Sequence, residues 1–115
     1  MRTIRIVVSG ALLLCTVAAT GMPVFRTDFL KLAGAKPNSR LASAQCSLCH
    51  RPNSTKLNPY GLDLQKAKKA AKASTITAAV LKATAALDSD KDKFTNAREI
   101  KADTLPGDPK SKPAK

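Results

Sequence analysis

The chain has 115 residues, with 20 Lys and Arg against 8 Asp and Glu, and it contains three Phe, one Tyr and no Trp. This length allows one small domain and excludes Rossmann and TIM-barrel enzymes as well as multipass membrane proteins. Alanine supplies much of the 43% hydrophobic content, and a buried Ala contributes less apolar area than a buried Leu or Phe. We therefore expect something besides apolar side chains to complete the core.

The first twenty residues have the composition of an export signal. Arg2 and Arg5 form a basic start, and residues 6–19 are apolar or small. We predict a signal peptide over 1–20 and a periplasmic or extracellular location. An uncleaved membrane anchor is the alternative, because about 20 apolar residues can span a bilayer. Cys15 follows a leucine and therefore matches a lipoprotein signal poorly.

The remainder of the chain predicts an all-α fold, because it has no alternating run rich in Val, Ile and Thr. Apolar residues at helical spacing predict a helix of about ten residues from Pro23. A second helix is expected from Pro59 to about Ala73, and a third is expected to be capped by Ser74 or Thr75.

The predicted helical domain covers residues 23–105. The last ten residues, 106–115, are rich in Pro and Lys, and we expect them to form a flexible tail. Asn58 immediately precedes a proline, which is the pattern of an N-cap followed by the first residue of a helix.

Cys46, Cys49 and His50 form the spacing C-x-x-C-H, which is the attachment pattern of c-type haem. Two residues between the thiols let one turn of chain present both sulfurs to one porphyrin edge, while the adjoining imidazole reaches the iron. Zinc is a weaker interpretation, because no further Cys or His follows and an acidic fourth ligand is unusual. A thioredoxin-like pair lacks its βαβ context, and a plain Cys46–Cys49 disulfide is the remaining alternative.

Together with Leu57–Gly61, this motif resembles the small exported monohaem c-type cytochromes of bacteria. The resemblance implies a cytochrome c-like helical fold wrapped around one haem c, bound covalently by Cys46 and Cys49, with His50 as the proximal iron ligand. It implies one-electron transfer and no enzymatic activity. The haem would also give apolar side chains a surface to pack against, and we expect those side chains to include Phe25, Phe29, Leu64 and Val80.

The sixth iron ligand departs from the usual pattern of that family, because no Met or His follows His50. Met22 is the remaining thioether, and Tyr60, Asn58, a lysine amine or water are the other candidates. A vacant position would lower the reduction potential relative to Met ligation and would admit a small ligand. A five-coordinate haem protein that binds a small ligand, or has peroxidase-like activity, is therefore an alternative function.

Residues 88–99 have the EF-hand spacing of a calcium loop. The predicted calcium ligands are Asp88, Asp90, Asp92, the Phe94 carbonyl, Asn96 and Glu99. The loop resembles dockerin-type and thrombospondin type 3 calcium repeats, but Lys93 occupies position 6, where glycine is expected. The alternative is a charged turn whose acids pair with Lys91, Lys93 and Arg98. A calcium-stabilised structural or docking module is the third function that the sequence suggests.

Without the two arginines of the signal segment, 18 basic residues remain against 8 acidic ones, a net charge of +10. Such a charge favours an acidic redox protein or an anionic membrane surface as partner. The densest basic group comprises Lys66, Lys68, Lys69 and Lys72. Nucleic acid is not expected as a partner, because the predicted export and the lack of interleaved aromatic residues argue against it.

Overall fold

A computed structural model describes residues 22–115. Its helices span Met22–Ala33 (α1), Arg40–Ser43 (α2), Pro59–Ala70 (α3), Ala78–Ala85 (α4) and Asn96–Lys101 (α5), and a 3₁₀ helix covers Gln45–Leu48. Over these residues the only β-type pairing is an isolated antiparallel bridge between His50 and Leu57. The all-α prediction is confirmed.

The predicted signal peptide over residues 1–20, with its Cys15, lies outside the described residues. The side chain of Met22 lies outside them as well. Among residues 22–115, no helix combines the length and the apolar character needed to cross a membrane.

Helix α3 begins as predicted and ends somewhat earlier. Asn58 is its N-cap and Pro59 its first residue. The helix ends at Ala70 because Lys72 adopts a φ of +51°, and the next N–H donates to the Lys68 carbonyl at 3.0 Å. This is the hydrogen bond of a Schellman motif, which stops a helix by turning the chain into the left-handed region.

Helix α4 begins later than predicted. Its N-cap is Thr77, whose hydroxyl accepts from the Val80 N–H, and not Ser74 or Thr75. The helix ends at Ala85, and Leu87 beyond it is 44% exposed.

A cluster of apolar side chains forms the core. Its buried members are Phe29, Leu41, Leu48, Tyr60, Leu64, Ile76 and Val80. The rings of Phe29 and Tyr60 meet edge to face, with centroids 6.0 Å apart. Phe29, Leu64 and Val80 were expected to pack on a haem, but other side chains already bury them. Phe25 is partly buried against the same cluster.

The segment after α5 packs against the domain, which differs from the flexible tail predicted for 106–115. Pro106 is fully buried, and Pro113 is buried as well. The Leu105 N–H donates to Ser111 Oγ at 2.9 Å, closing a turn. The ordered domain therefore extends past the predicted boundary at residue 105, because the proline rings contribute apolar surface that the composition of the tail did not reveal.

Candidate functional site

The three predicted haem-attachment residues lie on one turn of chain, residues 46–50, which we call the attachment turn. The N–H groups of Cys49 and His50 both donate to the Cys46 carbonyl, at 3.2 and 2.9 Å. Leu48 is 2% exposed and anchors the turn in the core. Both thiols are free, with Cys46 exposed and Cys49 half-buried. The structure therefore brings the predicted donors together and contains no disulfide between them.

After the attachment turn the chain doubles back on itself. Two backbone hydrogen bonds of 2.8 Å close this loop, from the Arg51 N–H to the Lys56 carbonyl and from the Asn58 N–H to the Cys49 carbonyl. The Leu57–Gly61 segment is thereby placed directly beside the attachment turn.

His50 is held in a defined orientation. Its Nδ1 lies 2.9 Å from the Thr55 carbonyl oxygen. Because a carbonyl oxygen only accepts hydrogen bonds, Nδ1 carries the proton, and Nε2 of the neutral ring keeps its lone pair. Histidines that bind metals usually donate their other ring N–H in this way. The backbone carbonyl thus fixes the orientation of the ring and, in its neutral form, the tautomer.

The buried side chain of Asn58 holds the attachment turn in place through hydrogen bonds. The side chain is 6% exposed, and its Nδ2 donates to the carbonyls of Ser47 at 3.1 Å and Leu48 at 3.2 Å. Its Oδ1 accepts from the Gly61 N–H at 2.8 Å. Asn58 therefore caps α3 and fixes the attachment turn at the same time. The sequence indicated only the first of these roles.

Two glycines allow close packing around Asn58. A Cβ on Gly61 would lie 2.1 Å from the Cys49 carbonyl oxygen, and a Cβ on Gly107 would lie 2.5 Å from the Asn58 side chain. The first turn of α3 therefore touches the attachment turn directly, and the segment after α5 closes over Asn58. The sequence does not reveal the role of either glycine, because the close neighbours of Gly61 and Gly107 lie elsewhere in the chain. By itself, a glycine at position 61 indicates only a weak start of the helix.

The two thiols should differ in reactivity. Burial, reinforced by the neighbouring Cys46, raises the pKa of the Cys49 thiol to about 11, whereas Cys46 is exposed. In the folded, haem-free protein we expect iodoacetamide to alkylate Cys46 at least about tenfold faster than Cys49. Peptide mass spectrometry measures both rates, and in urea they should become equal. Equal rates in the folded protein would contradict this arrangement.

Two of the predicted sixth ligands have other roles. Tyr60 is fully buried in the core, and its hydroxyl lies beside Thr84 in a geometry that falls short of a hydrogen bond. Burial raises the pKa of this phenol above its usual range. The amide of Asn58 is engaged on the attachment turn. Met22, a lysine and water remain as candidates.

Residues 88–99, which we call the acidic loop, bring three carboxylates close together. Oxygens of Asp88, Asp90 and Asp92 lie within 4.8 Å of one another. The two oxygens of Asp88 accept from the N–H groups of Asp92 at 3.1 Å and Lys93 at 2.8 Å. Lys91 and Lys93 have φ values of +60° and +79°. The backbone therefore makes the sharp turn for which EF-hand loops use glycine at position 6.

Glu99, the last predicted calcium ligand, is fully buried. Neither of its carboxylate oxygens has a hydrogen-bond partner, and Oδ2 of Asp90 and Oδ2 of Asp92 also lack one. Burial, followed by the charges of Asp90, Asp92 and Asp88, raises the pKa of Glu99 to about 8. Burial and the charge of Asp92 likewise raise the pKa of Asp90 to about 7. Several carboxylate oxygens of residues 88–99 therefore lack a partner among the described residues.

Asn96 and Phe94 make contacts that the ligand prediction did not include. Asn96 is fully buried; its Nδ2 donates to the Thr84 carbonyl at 2.9 Å and to Ser89 Oγ at 2.8 Å. Its Oδ1 accepts from the Ser89 N–H at 3.2 Å, so Asn96 joins the loop to α4. The Phe94 ring lies 4.6 Å from the Arg98 guanidinium. The Arg98 guanidinium therefore contacts the Phe94 ring and not the acids of the loop.

Comparisons of this chain with protein-family models, with curated proteins and with solved structures gave no match. The roles assigned to the attachment turn and to the acidic loop therefore rest on their own residues and geometry.

Proposed function

We propose that the chain is an exported c-type cytochrome that carries one covalently attached haem and transfers single electrons. The observation that supports this most directly is that one turn of chain carries two free thiols and an imidazole whose Nδ1 is held by a backbone carbonyl. Cys46 and Cys49 are the residues that would hold the haem, and His50 Nε2 is the atom that would bind its iron. The bound haem would supply the reversible ferric–ferrous couple.

The surrounding residues of the chain orient this donor set. The Thr55 carbonyl fixes the orientation of the His50 ring by accepting a hydrogen bond from its Nδ1–H. Asn58 and Gly61 hold the backbone of the attachment turn from the side of α3. A ligand set held by packed and hydrogen-bonded neighbours keeps one geometry, which a reversible electron carrier needs.

The proposed partner is an acidic redox protein, with an anionic membrane surface as the alternative. Lys66, Lys69 and Lys72 are exposed along and just after α3. Lys68 lies over the Phe25 ring, with Nζ 4.2 Å from its centre. These lysines lie along the second half of α3 and just beyond it, and the first turn of the same helix touches the attachment turn. Their positive charge would attract an acidic partner to this helix.

A five-coordinate haem protein that binds a small ligand, or has peroxidase-like activity, is the second candidate function. The specific observation in its favour is that Tyr60 and Asn58 are committed to the core and the attachment turn. If neither Met22 nor a lysine reaches the iron, the sixth position is left to water or to an added ligand.

The test is to produce the full chain in a host that matures haem c and to measure intact mass and optical spectra. We expect a mass gain of one haem and reversible cycling between the ferric and ferrous forms. Replacing Cys46→Ser together with Cys49→Ser should abolish the attachment, whereas Ser47→Ala changes an exposed residue within the same motif and should retain it. A folded, colourless parent protein would overturn the proposal.

The same spectra separate the two candidate functions. A low-spin, six-coordinate spectrum that does not respond to CO would support the electron carrier and exclude the ligand-binding protein. A high-spin spectrum that shifts on addition of CO would favour the second candidate.

A further inference from the structure

Residues 88–99, which connect α4 to α5 and include the first four residues of α5, contain carboxylate oxygens that have no hydrogen-bond partner among the described residues. Glu99 is fully buried with both carboxylate oxygens unpartnered. Asp92 is 6% exposed, and its Oδ2 is also unpartnered. A buried carboxylate without a hydrogen bond or a counter-charge is strongly unfavourable. A cation is the simplest group that would offset these charges.

The basic side chains of the loop do not provide that cation. Lys91 and Lys93 are exposed, and the Arg98 guanidinium lies over the Phe94 ring. Oxygens of Asp88, Asp90 and Asp92 lie within 4.8 Å of one another, and this group of three does not include Glu99. Asp90 and Asp92, whose Oδ2 atoms are unpartnered, belong to this group, whereas the nearby basic side chains have other surroundings.

We propose that residues 88–99 bind one calcium ion through the carboxylates of Asp88, Asp90, Asp92 and Glu99. These residues occupy positions 1, 3, 5 and 12 of an EF-hand loop. The backbone supports this assignment, because Lys93 at position 6 has the positive φ that such a loop requires. The site goes beyond the proposed electron transfer and does not depend on the haem.

The donor set selects the kind of metal. Four carboxylates are hard oxygen ligands, which suit calcium and magnesium, whereas zinc prefers nitrogen and sulfur. Calcium accepts six to eight oxygens in flexible geometries, and magnesium demands a compact octahedron. A loop that draws one ligand from a separate helix and three from a turn therefore favours calcium.

Asn96 is a positioning residue in this site. Its amide spans from the Thr84 carbonyl, near the end of α4, to Ser89 within the loop. This contact sets the loop and the first residue of α5 against α4, and Glu99 lies about one turn further along α5. Calcium therefore joins α5 to the rest of the domain, so its removal should lower the stability of the whole fold.

The test is to titrate CaCl₂ into the full chain after treatment with EDTA and dialysis, using isothermal titration calorimetry and thermal unfolding. We expect one site with a Kd of about 10⁻⁴ to 10⁻³ M, the range of single extracellular modules. In about 10 mM CaCl₂ the Tm should rise, and MgCl₂ at the same concentration should raise it less.

Glu99→Gln separates loss of a ligand from loss of the fold, because it keeps the shape of the side chain and removes its charge. Calcium binding should weaken at least about tenfold, and the Tm should no longer respond to CaCl₂. In EDTA the same variant should unfold at a higher temperature than the parent, because the repulsion among buried acids is reduced. Asp108→Asn removes an acid outside the loop and should leave both measurements unchanged.

Lys93 provides a variant that strengthens the site. Lys93→Ala removes a like charge beside the metal and should tighten calcium binding about two- to fivefold. Lys93→Gly should match or exceed it, since it also relieves the positive φ. The proposal is overturned if the folded parent shows neither heat nor a Tm shift in CaCl₂, or if Glu99→Gln binds calcium as tightly as the parent.

Discussion

Replacing Asn58 with Ala should lower the free energy of unfolding by about 2–4 kcal/mol and reduce the fraction of chains that carry haem. The substitution removes the N-cap of α3, which is worth about 1 kcal/mol, and strips the carbonyls of Ser47 and Leu48 of their donor. Urea unfolding measures the first effect, and the haem absorbance per chain measures the second.

The matched controls separate the cap from the contact with the attachment turn. Thr77→Ala removes an ordinary N-cap from α4 and should cost only about 1 kcal/mol, with haem content unchanged. Asn58→Asp keeps an acceptor for the Gly61 N–H but places a carboxylate oxygen against two carbonyls. It should be at least as destabilising as Asn58→Ala. If Asn58→Asp matched the parent in stability, the bonds to Ser47 and Leu48 would have no energetic role.

Gly61→Ala should also disturb the attachment turn, although alanine is the better helix former. Its Cβ would meet the Cys49 carbonyl oxygen at 2.1 Å, a backbone atom that cannot rotate away. The gain in helix propensity, at most about 1 kcal/mol, is smaller than the cost of relieving that contact, so we expect a net loss of about 1–3 kcal/mol. Chemical unfolding checks this value, and Cys49 should become easier to alkylate.

Leu62→Ala is the control for this substitution. Leu62 is the next residue of α3 and is 50% exposed, so its truncation should change stability by no more than about 0.5 kcal/mol. A Gly61→Ala protein that unfolds within that margin of the parent, with unchanged thiol reactivity, would show that α3 does not press on the attachment turn.

The starts of α3 and α4 show which parts of the fold were predictable from the sequence. The start of α3 was predicted correctly because Asn58 and Pro59 act within one helical turn. The start of α4 was not, because Ser74, Thr75 and Thr77 are all suitable caps by residue type. The structure selects Thr77, and Ile76 is then buried in the core just before the helix. Packing therefore decides which of several suitable residues caps the helix.

The candidate sites also combine features that the spacing of residues predicts with features that depend on packing. Spacing alone placed Cys46, Cys49 and His50 on one turn, and it put the acids of residues 88–99 in register for a metal. It did not show that Asn96 is bonded to α4, or that the oxygens of Glu99 are buried without partners. Those facts depend on where α5 lies relative to α4, and no local pattern encodes that position.

By itself the sequence determined the helical class and the first turn of α3, and it predicted the donor residues of both candidate sites, because each follows from the identities of residues a few positions apart. The tertiary structure decided that Phe29, Leu64 and Val80 pack on one another, that Asn58 supports the attachment turn, and that Gly61 and Gly107 must lack side chains. The physical reason is that burial and close contact join residues distant in sequence. Their free energy therefore depends on the shape of the whole domain.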